Sequence, residues 1–267
     1  MHVALLQLAA TTDSEHNRAA VRKRLERLDG SGVDLVVMPE GAMHDFGETG
    51  HSLAGAAESV DGPFVEMLAD QARQLGATIV GHIFERSESG DLPYNTAVVI
   101  DPAGALVATY RKIHLYDSFG FLESERLSAG PTTPVAVDVG GVRLGLLTCY
   151  DLRFPEHARL LVDDGADVLV VPAAWVRGPL KEDHWVTLLR ARAIENTVYV
   201  LGAAQCGPNY SGRSVVVDPM GIVVAGAGEA EADVITEITT ERVAEARRRN
   251  PSLANRRLRG SDADRPQ

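Results

Sequence analysis

A chain of 267 residues, 45% of them hydrophobic, is long enough to bury one large core. Its net charge of −11, with no basic stripe of interleaved aromatics, excludes nucleic acid as a natural partner. Two cysteines, Cys149 and Cys206, are too few for a disulfide framework. There is no CxxC or HExxH spacing, no P-loop, and Gly226-Ala-Gly228 lacks the third glycine of a dinucleotide fingerprint, so neither metal nor cofactor is expected. The first residues lack a cationic start before a long apolar run, and no stretch approaches a membrane span. The sequence thus predicts a soluble, non-secreted protein of the reducing cytoplasm.

From the start, His2 to Leu8 is nearly all apolar, as in a strand buried on both faces. Asp13 or Ser14 caps a helix whose Ala20, Leu25 and Leu28 recur at helical spacing until Gly30. A second strand, Val33 to Glu40, completes a β-α-β unit. A helix over about 63–75 follows, then a strand into Asp101-Pro-Ala-Gly104, whose residues suit a type I turn, and a strand from Ala105 to Tyr110. The same order then returns. Val142 to Cys149 reads as a strand, about Arg153 to Asp163 as a helix, Asp167 to Pro172 as a strand, and about 183–194 as a helix before Asp218-Pro-Met-Gly221. Gly32-Val-Asp-Leu-Val-Val-Met-Pro39 and Gly165-Ala-Asp-Val-Leu-Val-Val-Pro172 match almost residue for residue. The prediction is a four-layer α-β-β-α sandwich of two mixed sheets with internal pseudo-twofold duplication, formed by residues 1–249. Residues 250–267 are polar and read as a mobile tail, or as a segment that docks on a partner subunit. Arg247-Arg248-Arg249 and Arg256-Arg257 read as a solvated helix face and loose tail.

Cys149 falls between an apolar strand and Phe154-Pro155-Glu156, where Pro is placed to open a helix. A cysteine near a helix N-terminus is favoured as the thiolate. Taken alone, a buried structural thiol is the commoner outcome, and Cys206 is read that way. Glu40 and Lys112 also follow strands, where loops gather side chains into one pocket, although each alone reads as a surface charge.

Together, Pro39-Glu40-Gly41, Tyr110-Arg-Lys112-Ile-His-Leu and Thr148-Cys149-Tyr-Asp-Leu-Arg153-Phe-Pro-Glu156 resemble, in this order, the three motifs of the carbon-nitrogen hydrolases of the nitrilase superfamily. The resemblance spans about residues 1–245 and implies a Glu-Lys-Cys triad, an α-β-β-α fold and a homodimer or higher homo-oligomer. It also implies a second glutamate that orients Lys112 and substrate, matched by Glu123-Ser124, with Glu125 as the alternative. His114 and His157 fill structural places in these motifs.

The chemistry is a two-step covalent one. Glu40, its proton affinity raised in a poorly solvated pocket, takes the proton of Cys149; Lys112 and the Tyr150 backbone N–H receive the oxyanion; ammonia leaves a thioester that water resolves. Leu189 to Val200 and Ala203-Ala-Gln-Cys206-Gly most resemble the Nit-type amidases, the branch that includes deaminated glutathione amidase and the ω-amidase. The expected substrate is a small carboxylic acid amide, an ω-monoamide of a dicarboxylic acid, with Arg153 holding the acid group and Trp175 lining the pocket. Arg153 reads equally as a helix-start ion pair, and Trp175 as a core aromatic. The rival readings are an N-carbamoyl amino acid hydrolase and a catalytically idle scaffold.

Overall fold

The computed structural model describes residues 1–90 and 92–258. The first half of the chain runs β1 (His2–Gln7), α1 (Ser14–Glu26), β2 (Leu35–Val37), α2 (Pro63–Leu75), β3 (Thr78–Glu85), β4 (Tyr94–Ile100) and β5 (Leu106–Arg111). A two-stranded flap, β6 (Asp117–Ser118) and β7 (Phe121–Leu122), leads to β8 (Ala136–Val139). The second half runs β9 (Val142–Leu146), α3 (Pro155–Asp163), β10 (Val168–Ala173), α4 (Lys181–Asn196), β11 (Tyr199–Ala204), β12 (Val215–Val217) and β13 (Val223–Gly226). It closes with β14 (Ala232–Glu237) and α5 (Thr240–Arg249).

Two six-stranded sheets form, in the orders β14-β1-β2-β3-β4-β5 and β8-β9-β10-β11-β12-β13. In both, the first three strands of each half are parallel and the remaining neighbours antiparallel. Three apolar cores account for the four layers. Alternate residues of one strand serve two of them: Val3 and Leu5 meet Leu144, Leu146 and Val170 between the sheets, whereas Ala4 and Leu6 pack under α1 and α2. Leu169 and Val200 pack under α3 and α4 in the same way. Each fully buried Leu or Val contributes about 1.5–3 kcal/mol, which is why the central strands are unbroken apolar runs.

The duplication extends to detail. Asp101 Oδ1 accepts the N–H groups of Ala103 and Ala105, and Asp218 Oδ1 those of Met220 and Ile222. Gly104 and Gly221 then take φ of 78° and 81°, the left-handed conformation that such a turn assigns to glycine. In the equivalent strands β3 and β11, a Cβ on Gly81 would lie 2.3 Å from Leu68, and one on Gly202 2.7 Å from Leu189. Close helix-to-sheet approach therefore needs glycine at the same place in both halves.

Two expectations change. Cys149 does not stand at the start of α3; it heads a separate 3₁₀ turn, Cys149–Arg153, and α3 opens at Pro155. The start of the expected tail has two anchors, Leu253 packing against the core under α3 and Arg256 pairing with Asp163, whereas Leu258 is exposed. The remainder of the expected tail, residues 259–267, lies outside the described residues. No helix among the described residues is long and apolar enough to cross a membrane.

Candidate active site

The C-terminal ends of β2, β5, β9 and β10 converge where the two sheets meet. Glu40 follows β2, and Lys112 stays on the ladder just past β5 because its N–H bonds Asn95 O at 2.8 Å. Both side chains are 1% exposed. The Lys112 ammonium donates to Glu40 Oε1 at 2.9 Å and to Glu123 Oε2 at 2.8 Å. From the other half, the N–H of Ala174, just beyond β10, donates to Glu40 Oε2 at 2.7 Å. Glu123 is fixed further by the Tyr116 N–H at 2.5 Å. Of the two candidates for the second glutamate, Glu123 is buried against Lys112 and Glu125 is exposed.

Sequence reading missed the groups that orient these carboxylates. Asn95 Nδ2 donates to Glu40 at 2.7 Å and to Glu123 at 3.0 Å. His82 Nδ1 accepts the Gly41 N–H at 2.9 Å, so its proton resides on Nε2 and points at Asn95 Oδ1. That bond settles which end of the Asn95 amide faces the carboxylates. A histidine and an asparagine inside otherwise apolar strands were the available signal, since a buried polar side chain needs partners.

Electrostatics follow from burial. Desolvation alone would raise Glu40, but Lys112, His82 and the Ala174 N–H outweigh it and hold this carboxylate below its ordinary range. The expectation of a raised Glu40 is therefore corrected; it is Glu123 that burial and the charge of Glu40 push up against Lys112. Lys112 would lose its proton to burial, but Glu123 and Glu40 keep it charged. Burial lowers His82 to about 4, leaving it neutral.

Cys149 is 8% exposed, with φ of 47°. Burial raises its thiol well above the ordinary range, and the charge and hydrogen bond of Glu40 add to this against Lys112. The resting group is the thiol, contrary to the helix-terminus expectation, because burial and the Glu40 carboxylate outweigh Lys112, and the cysteine heads a short 3₁₀ turn and not α3. Behind it, Asp151 accepts from Tyr110 OH (2.6 Å), Thr148 N (2.9 Å), His114 N (3.1 Å) and His114 Nδ1 (2.7 Å). His114, Asp151 and His157 bring ligand-type atoms within 4.8 Å. With both Asp151 oxygens already engaged by four donors, the cluster is a brace for the Cys149 turn.

A cleft beside Cys149 is walled by Tyr116, Tyr150, Arg153, Trp175 and Lys181. Arg153 lies 4.9 Å above the Trp175 ring, and Trp175 Nε1 donates to Lys181 O at 2.7 Å. Arg153 forms no ion pair among the described residues, against the helix-start alternative. Lys181 had no signal in the sequence beyond its place in a loop. A larger cavity of about 720 Å³ reaches Glu40, Lys112, Glu123 and Cys149, with Phe46, Leu53 and Leu122 in its walls.

An α-β-β-α sandwich with a buried Glu-Lys pair, a second glutamate and a cysteine at its sheet ends defines the class of thiol hydrolases acting on carbon-nitrogen bonds. The Carbon-nitrogen hydrolase family profile matches residues 2–248, and the chain belongs to that family. It is 39% identical to the deaminated glutathione amidase of Escherichia coli O157:H7, over 97% of this chain and 98% of the relative. Among solved structures, the CN-hydrolase superfamily protein XC1258 of Xanthomonas campestris superposes with a TM-score of 0.87 at 33% identity, covering 97% of this chain and 98% of its own. Nit3 of Saccharomyces cerevisiae, of branch 10 of the nitrilase superfamily, gives 0.82 at 29% identity, with 97% of each chain covered. The protein is an enzyme that hydrolyses carbon-nitrogen bonds in amides other than peptides.

Proposed function

We propose that Cys149 is the nucleophile of a cytoplasmic, homodimeric amidase that converts an ω-monoamide of a dicarboxylic acid to the diacid and ammonia. Glu40 takes the thiol proton as Sγ bonds the amide carbon. The two carboxylates occupy two of the three protons of the Lys112 ammonium, leaving one for the oxyanion, which the Tyr150 N–H shares. Glu40 returns its proton to nitrogen, the C–N bond breaks and ammonia leaves a thioester. Water then gives a proton to Glu40 and attacks the thioester; the C–S bond breaks, and the thiol recovers its proton.

The observation that carries the substrate reading is Arg153. Its Nε and Nη2 are buried beside the Cys149 cleft, and no group among the described residues hydrogen-bonds them, so both are donors that an acid group could engage. Lys112 cannot fill that role, being committed to Glu40 and Glu123. A charge-assisted hydrogen bond contributes about 1.5–3 kcal/mol, so an ω-monoamide acid should exceed its methyl ester by roughly one to two decades in kcat/KM. Equal efficiency on the two compounds would move the assignment to a general aliphatic amidase. Deaminated glutathione, for which the Escherichia coli relative is named, and N-carbamoyl amino acids belong in the same ammonia- and amine-release screen.

The homodimer is expected from the family fold, whose sheets meet across a two-fold interface. Light scattering at micromolar concentration should give twice 28.6 kDa or more. A 28.6 kDa particle alone would refute it.

A further inference from the structure

We infer that Lys181 is a specificity-determining residue of the same cleft, holding the substrate's acid group jointly with Arg153. The assignment rests on the amidase reading above and extends it to a second cation.

Lys181 opens α4 and is only 5% exposed, yet among the described residues no carboxylate pairs with its ammonium. Its Nζ donates to Tyr116 OH and sits 4.7 Å from the centre of the Tyr116 ring and 4.4 Å from that of Phe119. Arg153 approaches the same Phe119 ring, at 5.8 Å. Two cations, Lys181 buried and Arg153 half-buried, thus share one aromatic neighbour, with their like charges opposed. Aromatic faces repay only part of the cost of desolvating a cation. Neither the Tyr116 hydroxyl nor Cys149, held as a thiol, neutralises the pair. An anion entering the cleft does, and the substrate's distal carboxylate is the anion that the reaction supplies.

The two side chains are complementary as anchors. Guanidinium offers a planar fork with Nε and Nη2 free, and ammonium a point charge whose remaining protons can turn toward a second oxygen. The backbone of Lys181 is tied to the cleft wall by the Trp175 indole, and Leu180 before it takes φ of 61°. The ammonium is therefore delivered by a fixed corner and not by a swinging loop.

The experiment measures kcat and KM for glutaramate and for its methyl ester with the full-length wild type, Lys181→Met and Lys181→Arg. In wild type the acid is preferred. In Lys181→Met the acid-to-ester ratio of kcat/KM should fall about ten- to hundredfold, the loss expected of one charge-assisted bond, and it should appear in KM. Lys181→Arg should recover part of it. Burial, with the neighbouring Arg153 charge adding to it, lowers the pKa of Lys181 below that of an ordinary lysine. Tyr116, pushed up to about 12, stays neutral over the same range. The wild-type KM for glutaramate should accordingly climb at alkaline pH, and that climb should vanish in Lys181→Met. An unchanged acid-to-ester ratio in both variants, with equal loss on both substrates, would make Lys181 a structural prop and overturn the inference. A wild type that shows no acid preference would overturn the substrate reading itself. Should Lys181→Met fail to fold, Lys181→Gln, which keeps a donor for Tyr116, gives the same comparison.

Discussion

Cys149→Ala is expected to abolish amide hydrolysis, with a loss on the order of 10⁶ in kcat, the scale seen when a covalent nucleophile is deleted from a hydrolase. Alanine is the informative replacement because the position has φ of 47°. Alanine keeps a Cβ and so keeps whatever backbone strain the native turn stores, whereas glycine would relax it and confuse folding with chemistry. The brace of Asp151, Tyr110, His114 and Thr148 makes no use of the sulfur, so the melting transition should stay cooperative. Turnover within a few-fold of wild type would sink the covalent mechanism. Cys206→Ala is the control: that thiol is buried beside Leu8, whose carbonyl its N–H meets, and it lies outside both cavities at the site.

Removing the Lys112 ammonium should be nearly as damaging. Loss of a single oxyanion donor costs about 10²–10³ in kcat. Lys112→Ala loses more than a donor, since it also leaves Glu40 and Glu123 facing each other as two buried anions. One of them must then take up a proton, and if that is Glu40 the thiol has no base. Glu40→Gln tests the base directly: the amide is nearly isosteric but cannot accept the Cys149 proton, and kcat should again fall by orders of magnitude. Neither change should add to Cys149→Ala, as groups acting in one step are not additive. Normal kcat in Lys112→Ala, or additive losses, would break the unit apart.

What was legible in the sequence was whatever has a period or a spacing. Apolar runs ended by Pro39 and Pro172 gave the strands, and the repeated Asp-Pro-x-Gly turns gave the duplication, because these signals are local. Glu40, Lys112 and Cys149 stood out because each follows a strand within a motif that resembles the family's, and Glu123 through that resemblance alone. Ala174, Asn95 and Lys181 did not, because their contributions are a backbone N–H from the other half, a side chain tucked in mid-strand, and a cation whose burial only the tertiary fold creates. The errors on Glu40 and Cys149 have different causes: for Glu40 burial was weighed without Lys112, and for Cys149 a helix terminus was weighed without burial. In the folded cluster each charge is set by its neighbours within 3 Å, and Lys112 reverses the effect of burial on Glu40.

The registers of the two sheets allow the halves to be overlaid residue by residue. Val3 pairs with Leu35 as Leu144 pairs with Val168. Five residues on from each of these, Cys149 falls on Leu8, and Glu40 on Ala173. The scaffold is symmetric and the chemistry is not: one crossing of the sheets carries a base and a nucleophile, and the mirrored crossing carries leucine and alanine. One scaffold thus carries a single reaction centre, and its second crossing serves packing alone: Leu8 and Ala173 are both buried.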